Sequence, residues 1–320
     1  KRARCHRIPG SVKNDELDVD MGTGAGASLA AGEREWLEAD GLGGFASGCI
    51  DLVRRRRYHA LLLAATEPPL GRFALVQGIE AFLVVGGERI PLSSHAYRGG
   101  FVYPDGASRV RSFRSSPWPR WTLDGGAAGT VEFELFVPRG HAAVCLTWRA
   151  PDAPPGARIE VRPLLSGRDP HALLRESAQA PFRSEPVPGG VRWSSNGYAP
   201  AVTALADGAY RDAPDWYRSF LYSEERARGY DHHEDLYAPG VFELGLERGA
   251  AELVLHADLA LEALAGEDAS VVGLAAGWRR SELARRGAFS SRLERAADAY
   301  VVRRGSGSTI VAGYPWFGDW

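Results

Sequence analysis

The chain has 320 residues, with 38 basic and 40 acidic side chains and a formal net charge of −2. That balance excludes a dedicated nucleic-acid binder, which carries a basic excess; the longest strongly apolar run, near Leu61–Ala65, is far shorter than the 18 or so residues of a membrane-spanning helix. At 45% hydrophobic and 24% charged, the chain is long enough to bury a substantial core and too apolar for a disordered tail.

Residues 1–20 contain no apolar core of a secretory signal. Both lysines, Lys1 and Lys13, lie there; the remaining basic residues are arginines, and the only methionine is Met21. Two readings of residues 1–20 stand side by side, non-native upstream sequence and a native flexible terminus. Either leaves residues 1–32 out of the fold. Three scattered cysteines, Cys5, Cys49 and Cys145, form neither a disulfide framework nor a zinc-ligand spacing, and a reducing cytosol is the simplest setting.

From Trp36 to about Leu264 the pattern is strands and turns. Tyr58–Ala65 is an apolar run of strand length. Ile79–Val85 and Glu88–Leu92, joined by Gly86-Gly87, predict a two-residue hairpin. Trp121–Leu123 and Thr130–Val137 predict a second, in which Val131, Phe133 and Leu135 alternate with Glu132, Glu134 and Phe136, so that one face is half-polar. Ala143–Trp148 and Arg158–Val161 read as further strands, and Val241–Leu246 with Ala251–Leu255 as a third hairpin. Many short strands without alternating helices argue for a mainly β, antiparallel sandwich. After Gly266 the period changes. Val271–Arg286 and Ser291–Arg303 carry a helical pattern, which Gly305–Ser308 should break. The last twelve residues, Thr309–Trp320, are apolar and aromatic. Their density implies a chain cut inside a second domain.

Several motifs have plain structural readings. Gly22–Ser28 lacks the strand before it and the lysine after it that a phosphate loop needs. Arg54–Arg57 reads as a solvated or ion-paired strand entry whose side chains alternate between faces. Asp231–Asp235 contains His232, His233 and Glu234 but no second ligand pair, and reads as a polar loop. In Arg168–His171, Asp169 can cap a turn into a helix from Ala172. Trp316, Phe317 and Trp320 around Asp319 are candidates for sugar binding, since aromatic faces stack on sugar C–H faces and a carboxylate grips hydroxyls. On spacing alone, core of a further domain is the favoured reading of the same aromatics. No metal or organic cofactor is indicated.

Five separated stretches resemble the prokaryotic-type glycogen debranching enzymes, the amylo-α-1,6-glucosidase family. They are Glu35–Gly48, Arg56–Ala65, Arg162–His171, Glu225–Gly240 and Ala312–Trp320, in the family's order. The resemblance implies an antiparallel β-supersandwich over residues 33–266, a helical linker over 267–304 and, from 305 to 320, the truncated start of an (α/α)6 barrel. It implies a cytoplasmic glycoside hydrolase acting on α-1,6 branch points of glycogen or a related branched α-glucan by a two-carboxylate inverting mechanism, with the carboxyl groups about 6.5–9.5 Å apart. Both catalytic carboxylates should lie beyond Trp320, so this chain alone should be inactive and its partner is the missing (α/α)6 domain. Loops such as Asp40–Gly48 and Tyr230–Gly240 are candidates for contact with the cleft. A non-catalytic glucan-binding sandwich is the alternative.

Overall fold

Antiparallel pairing of short, turn-punctuated runs builds two stacked sheets in the computed structural model of the chain, which describes residues 19–20, 31–257 and 270–319. In chain order the first strands are β1 (Val19–Asp20), β2 (Glu35–Ala39), β3 (Phe45–Cys49), β4 (Leu62–Glu67), β5 (Leu70–Val85) and β6 (Glu88–Pro91). They are followed by β7 (Val110–Arg114), β8 (Arg120–Asp124), β9 (Thr130–Phe136), β10 (Ala143–Arg149), β11 (Arg158–Arg168) and β12 (Phe182–Val187). Next come β13 (Gly190–Ser195), β14 (Val202–Ala206), β15 (Ala209–Leu221), the short helix α1 (Ser223–Ala227), β16 (His233–Gly245) and β17 (Ala251–Ala257). Helices α2 (Val271–Gly287) and α3 (Arg292–Tyr300) precede the small hairpin β18 (Val301–Arg304) and β19 (Gly307–Ile310).

One sheet has nine strands in the order β1-β7-β8-β9-β10-β17-β14-β13-β12; the other runs β15-β16-β11-β5-β4-β3-β2, with β6 paired to β5. The core lies between them. Inward residues of β9, Val131, Phe133 and Leu135, join Trp121 and Trp148 there, and the rings of Trp121, Phe133 and Trp148 stack in series at 5.1 Å centroid spacings. The Trp121 indole N–H donates to the carbonyl of Ile50 at 2.8 Å, which ties the two sheets together beside β3. The other face of β9, with Glu134 and Phe136, is the half-polar one. Helix α2 covers it: Val271 and Ala275 pack with Phe136, Cys145 and Val254, and Arg279 pairs with Glu134.

Local signals held where the partner is the next strand. Gly86 and Gly87 take φ of +56° and +89°, the two left-handed positions that a two-residue hairpin needs, and β5 pairs β6 around them. The β8–β9 hairpin also forms. The third expected hairpin does not. β16 pairs with β11 and β15, β17 pairs with β10 and β14, and residues 246–250 cross from one sheet to the other. Both strands are buried on both faces, so each takes two neighbours within its own sheet.

Other expectations shift. The helix from Ser291 ends at Tyr300, because the β-branched Val301 and Val302 continue as β18 and Gly305, at φ +56°, turns the chain into β19. No helix follows Ala172. The Asp40–Gly48 and Tyr230–Gly240 segments are loops only in part, since they contain β3 and the start of β16, both largely buried. The reading that excluded residues 1–32 meets two departures among the described residues: Val19–Asp20 pairs with Phe113 and Ser112 of β7, and Ala31 packs on the core while the Gly32 carbonyl accepts from the Asp51 amide at 3.0 Å. Cys5, Met21 and Gly22–Ser28 lie outside the described residues, as does the expected boundary near 266.

Candidate functional site

The β3–β4 connection carries Arg54–Arg57 through a stretch with no regular structure. The strand expected here does not form, because Asp51 turns the chain by accepting from the Val53 amide at 3.1 Å and Leu52 takes φ +67°. The guanidinium groups of Arg55, Arg56 and Arg57 then each find a partner. Arg55 forks onto Asp51 at 2.8 and 2.6 Å. Arg56 bridges Glu35 of β2 at 2.5 Å and Glu224 of α1 at 3.4 Å. The Arg57 amide donates to Glu225 at 3.1 Å, and its guanidinium donates to the His171 carbonyl at 2.7 Å. The ion-paired reading therefore holds for Arg55–Arg57 but not for Arg54, and the alternation across a strand does not form.

Beneath this loop lies a buried pair that sequence reasoning placed in a polar loop. Glu234 is fully buried and pairs with Arg168 at the end of β11 through two contacts, one of them at 2.9 Å. It also accepts from the Tyr222 hydroxyl, from the Leu174 amide at 2.9 Å and from Gln77 at 3.4 Å. Burial works against the ionised carboxyl, but the Arg168 charge outweighs it and holds Glu234 below the usual range. Arg168 in turn donates to the Arg57 carbonyl at 2.8 Å and to the carbonyls of Asp169 and Pro170. One buried pair thus sets both the Arg54–Tyr58 loop and the 169–171 turn. That turn is capped by Asp169, which accepts from the His171 amide at 2.7 Å, as expected.

The C-terminal segment closes over this platform. A cleft of about 210 Å³ runs between the 69–72 turn, the 169–171 turn and residues 315–318. Arg72 holds its rim by donating to the carbonyls of Pro315, at 3.3 Å, and Phe317, at 2.6 Å. Trp316, 37% exposed, has the guanidinium groups of Arg56 and Arg228 at 5.4 and 5.5 Å from its ring and Tyr58 edge-on at 6.0 Å. The Tyr58 hydroxyl meets His171 Nδ1 at 2.9 Å. Behind Trp316, Tyr314 packs edge-on against Phe45 of β3 at 5.3 Å.

The four residues singled out from the sequence separate here. Trp316 lines the cleft. Phe317 is 62% exposed. Asp319 pairs its carboxylate with Arg304 of the β18–β19 hairpin, opposite Val311. Trp320 lies outside the described residues. Arg56, Arg57, Tyr58, Arg72, His171 and Arg228 were not named as site residues. Arg56–Tyr58, His171 and Arg228 do fall inside three of the five family-like stretches, which was the one available signal; Arg72 falls in none.

Glu35, Cys49 and His59 bring a ligand atom each within 4.8 Å of one another. Their chemistry does not fit a metal. Burial pushes the Cys49 thiol up to about 12, so it stays protonated. His59 Nδ1 accepts from the Arg55 amide at 3.2 Å, so Nε2 carries the proton and faces Glu35 at 3.4 Å. Burial opposes ionisation of Glu35, yet His59 and Arg56 hold it down at about 2, and its charge is already matched.

The family described as "Glycogen debranching enzyme N terminal" matches residues 34–252. The chain belongs to that family. No curated protein matches the sequence. A crystal structure of bacterial glucoamylase complexed with acarbose is similar over 84% of this chain and 37% of its own, at 10% identity and a TM-score of 0.39.

Proposed function

We propose that this member of the glycogen debranching enzyme N-terminal family is the non-catalytic front part of a glycoside hydrolase that cleaves α-1,6 branch points in glycogen or a related branched α-glucan. The family match over residues 34–252 carries the reading. In this proposal residues 33–266 brace the substrate cleft, 267–304 link, and 305–320 begin an (α/α)6 catalytic domain. Chemistry would follow the inverting route: one carboxyl protonates the glycosidic oxygen as the bond to the anomeric carbon breaks, and a second takes a proton from the attacking water. The carboxylates of the described platform suit neither role. Glu234 is committed to Arg168, and Glu35 to Arg56 and His59. The free thiols Cys49 and Cys145 suit a cytoplasmic setting.

The contribution we assign to this chain is binding. Trp316 offers an aromatic surface, and Arg72, Asp169 and His171 bring polar groups to the same cleft. In the full-length enzyme, Trp316→Ala should raise KM for a branched limit dextrin about tenfold, the equivalent of about 1.4 kcal/mol, with kcat little changed. Unchanged KM in a folded variant would remove the cleft from the reaction. Glucose release from branched dextrin by the purified 320-residue protein would overturn the non-catalytic assignment.

A further inference from the structure

Arg54 turns away from the ion-paired surface into the sandwich. It is 7% exposed and lines an internal cavity of about 60 Å³ together with Gln77, Ser93, His95, Trp121 and Phe133. Its Nη2 lies 3.4 Å from His95 Nδ1, and its guanidinium carbon lies 5.2 Å from the Phe220 ring. Nε and Nη1 are buried with no hydrogen-bond partner among the described residues. A Cβ on Gly78 would stand 2.5 Å from Nη1, so the glycine is what lets the guanidinium lie here.

The charges around Arg54 do not balance. Arg168 and Glu234 neutralise each other. Burial and the Arg54 charge both disfavour the imidazolium of His95, and burial keeps the Tyr222 phenol protonated. One positive charge is left over in the interior, where an unpaired ion is strongly disfavoured. Ser93 Oγ accepts from the Ala81 amide at 2.9 Å, which leaves its own proton to donate.

We propose that this cavity binds a small monovalent anion of the chloride type, held by Arg54 Nε and Nη1 with the Ser93 hydroxyl. A water-sized sphere needs roughly 10–15 Å³ of such space, so 60 Å³ has room for a halide together with a few waters. The apolar walls supplied by Trp121 and Phe133 favour a weakly hydrated ion over a phosphate. The anion neutralises Arg54 and fixes the start of the loop that carries Arg56, Arg57 and Tyr58 to the cleft.

The test uses the full 320-residue protein. Crystals grown in sodium bromide should show an anomalous peak within hydrogen-bonding reach of Arg54 Nε or Nη1. The melting temperature should rise on the order of 2–4 °C between roughly 1 and 150 mM chloride, with ionic strength held constant by gluconate. Arg54→Met should abolish that chloride dependence. Absence of the bromide peak overturns the site in favour of buried water. A peak without chloride-dependent melting marks an adventitious ion only and overturns it as well. Should Arg54→Met fail to fold, the bromide and melting measurements on the unaltered protein decide alone.

Discussion

Glu234 ties three stretches to its own strand, through Gln77, through Arg168 and Leu174, and through Tyr222. Removing it strands Arg168, which is 6% exposed, without a counter-charge. Breaking a buried pair from one side costs about 3–5 kcal/mol, mostly because the remaining charge stays desolvated. Glu234→Ala should lose that much in urea unfolding; a loss under about 1 kcal/mol would show that the pair is not the anchor described. Neither the Arg168 motif nor the Asp231–Asp235 motif reveals this alone. Each looks polar and local, and the 66-residue separation hides that they meet. The aromatic cluster at the C-terminal end was legible as a group of residue types. Its geometry was not, because Asp319 is bound to Arg304, and of the three described residues only Trp316 lines the cleft.

At the level of elements, the helices attach to the sandwich chiefly by charge. α2 buries only Val271, Ala275 and Glu282, and α3 buries no residue. Arg286 holds α2 in place. It pairs with Glu38 of β2 at 2.6 Å and with Glu282 at 2.8 Å, and it donates to the Pro117 carbonyl at 2.6 Å. Arg139 ties the far end to Asp298 at 3.1 Å and to the Val301 carbonyl at 2.7 Å. Arg286→Met leaves Glu38 buried and unpaired. Amide exchange over 271–300 should then accelerate about tenfold or more while β8–β10 stay protected. Equal exchange in both proteins would mean that the apolar contacts suffice. The same contrast explains which elements could be read in advance. The hairpins at Gly86-Gly87 and at Asp124–Gly129 are written in adjacent residues. The partners of β16 and β17 are chosen by burial across the whole sandwich, and a local turn signal misplaces them.

Across the molecule, buried and partly buried ionisable groups, with the more exposed Glu35, divide into sets with opposite pH dependence. Glu35, Glu134, Glu234 and Glu282 are held low by arginine or histidine partners against the effect of burial. Their stabilisation is present above the ordinary carboxylate value and is lost as pH falls through their folded values. His59, His95 and His141 are held low by burial, so their contribution is likewise lost as pH falls below about 6.5. Glu80, Glu225 and Glu252 are raised by burial and act the other way, as does Asp40, raised to about 7. Their contribution is complete below the unfolded value and is lost as pH rises through the folded one. Between about pH 4.5 and 6.5 the histidines and the raised carboxyls oppose each other, so thermal stability should be nearly flat there and drop steeply below 4.5. Asp40 is the clearest counterweight. Its Oδ1 accepts from the Leu42 and Gly44 amides at 2.6 and 3.0 Å, and its buried Oδ2 has no hydrogen-bond partner among the described residues. Asp40→Asn keeps the accepting oxygen and removes the ionisation. Relative to the unaltered protein, the variant should gain stability from pH 5 to pH 8, by about 2.7 kcal/mol at most, since only the roughly two pH units between pH 5 and the folded value contribute. Urea unfolding at the two pH values measures the gain. If the two proteins run parallel across that range, Asp40 does not carry its proton into the neutral region, and the flat interval must come from the glutamates alone.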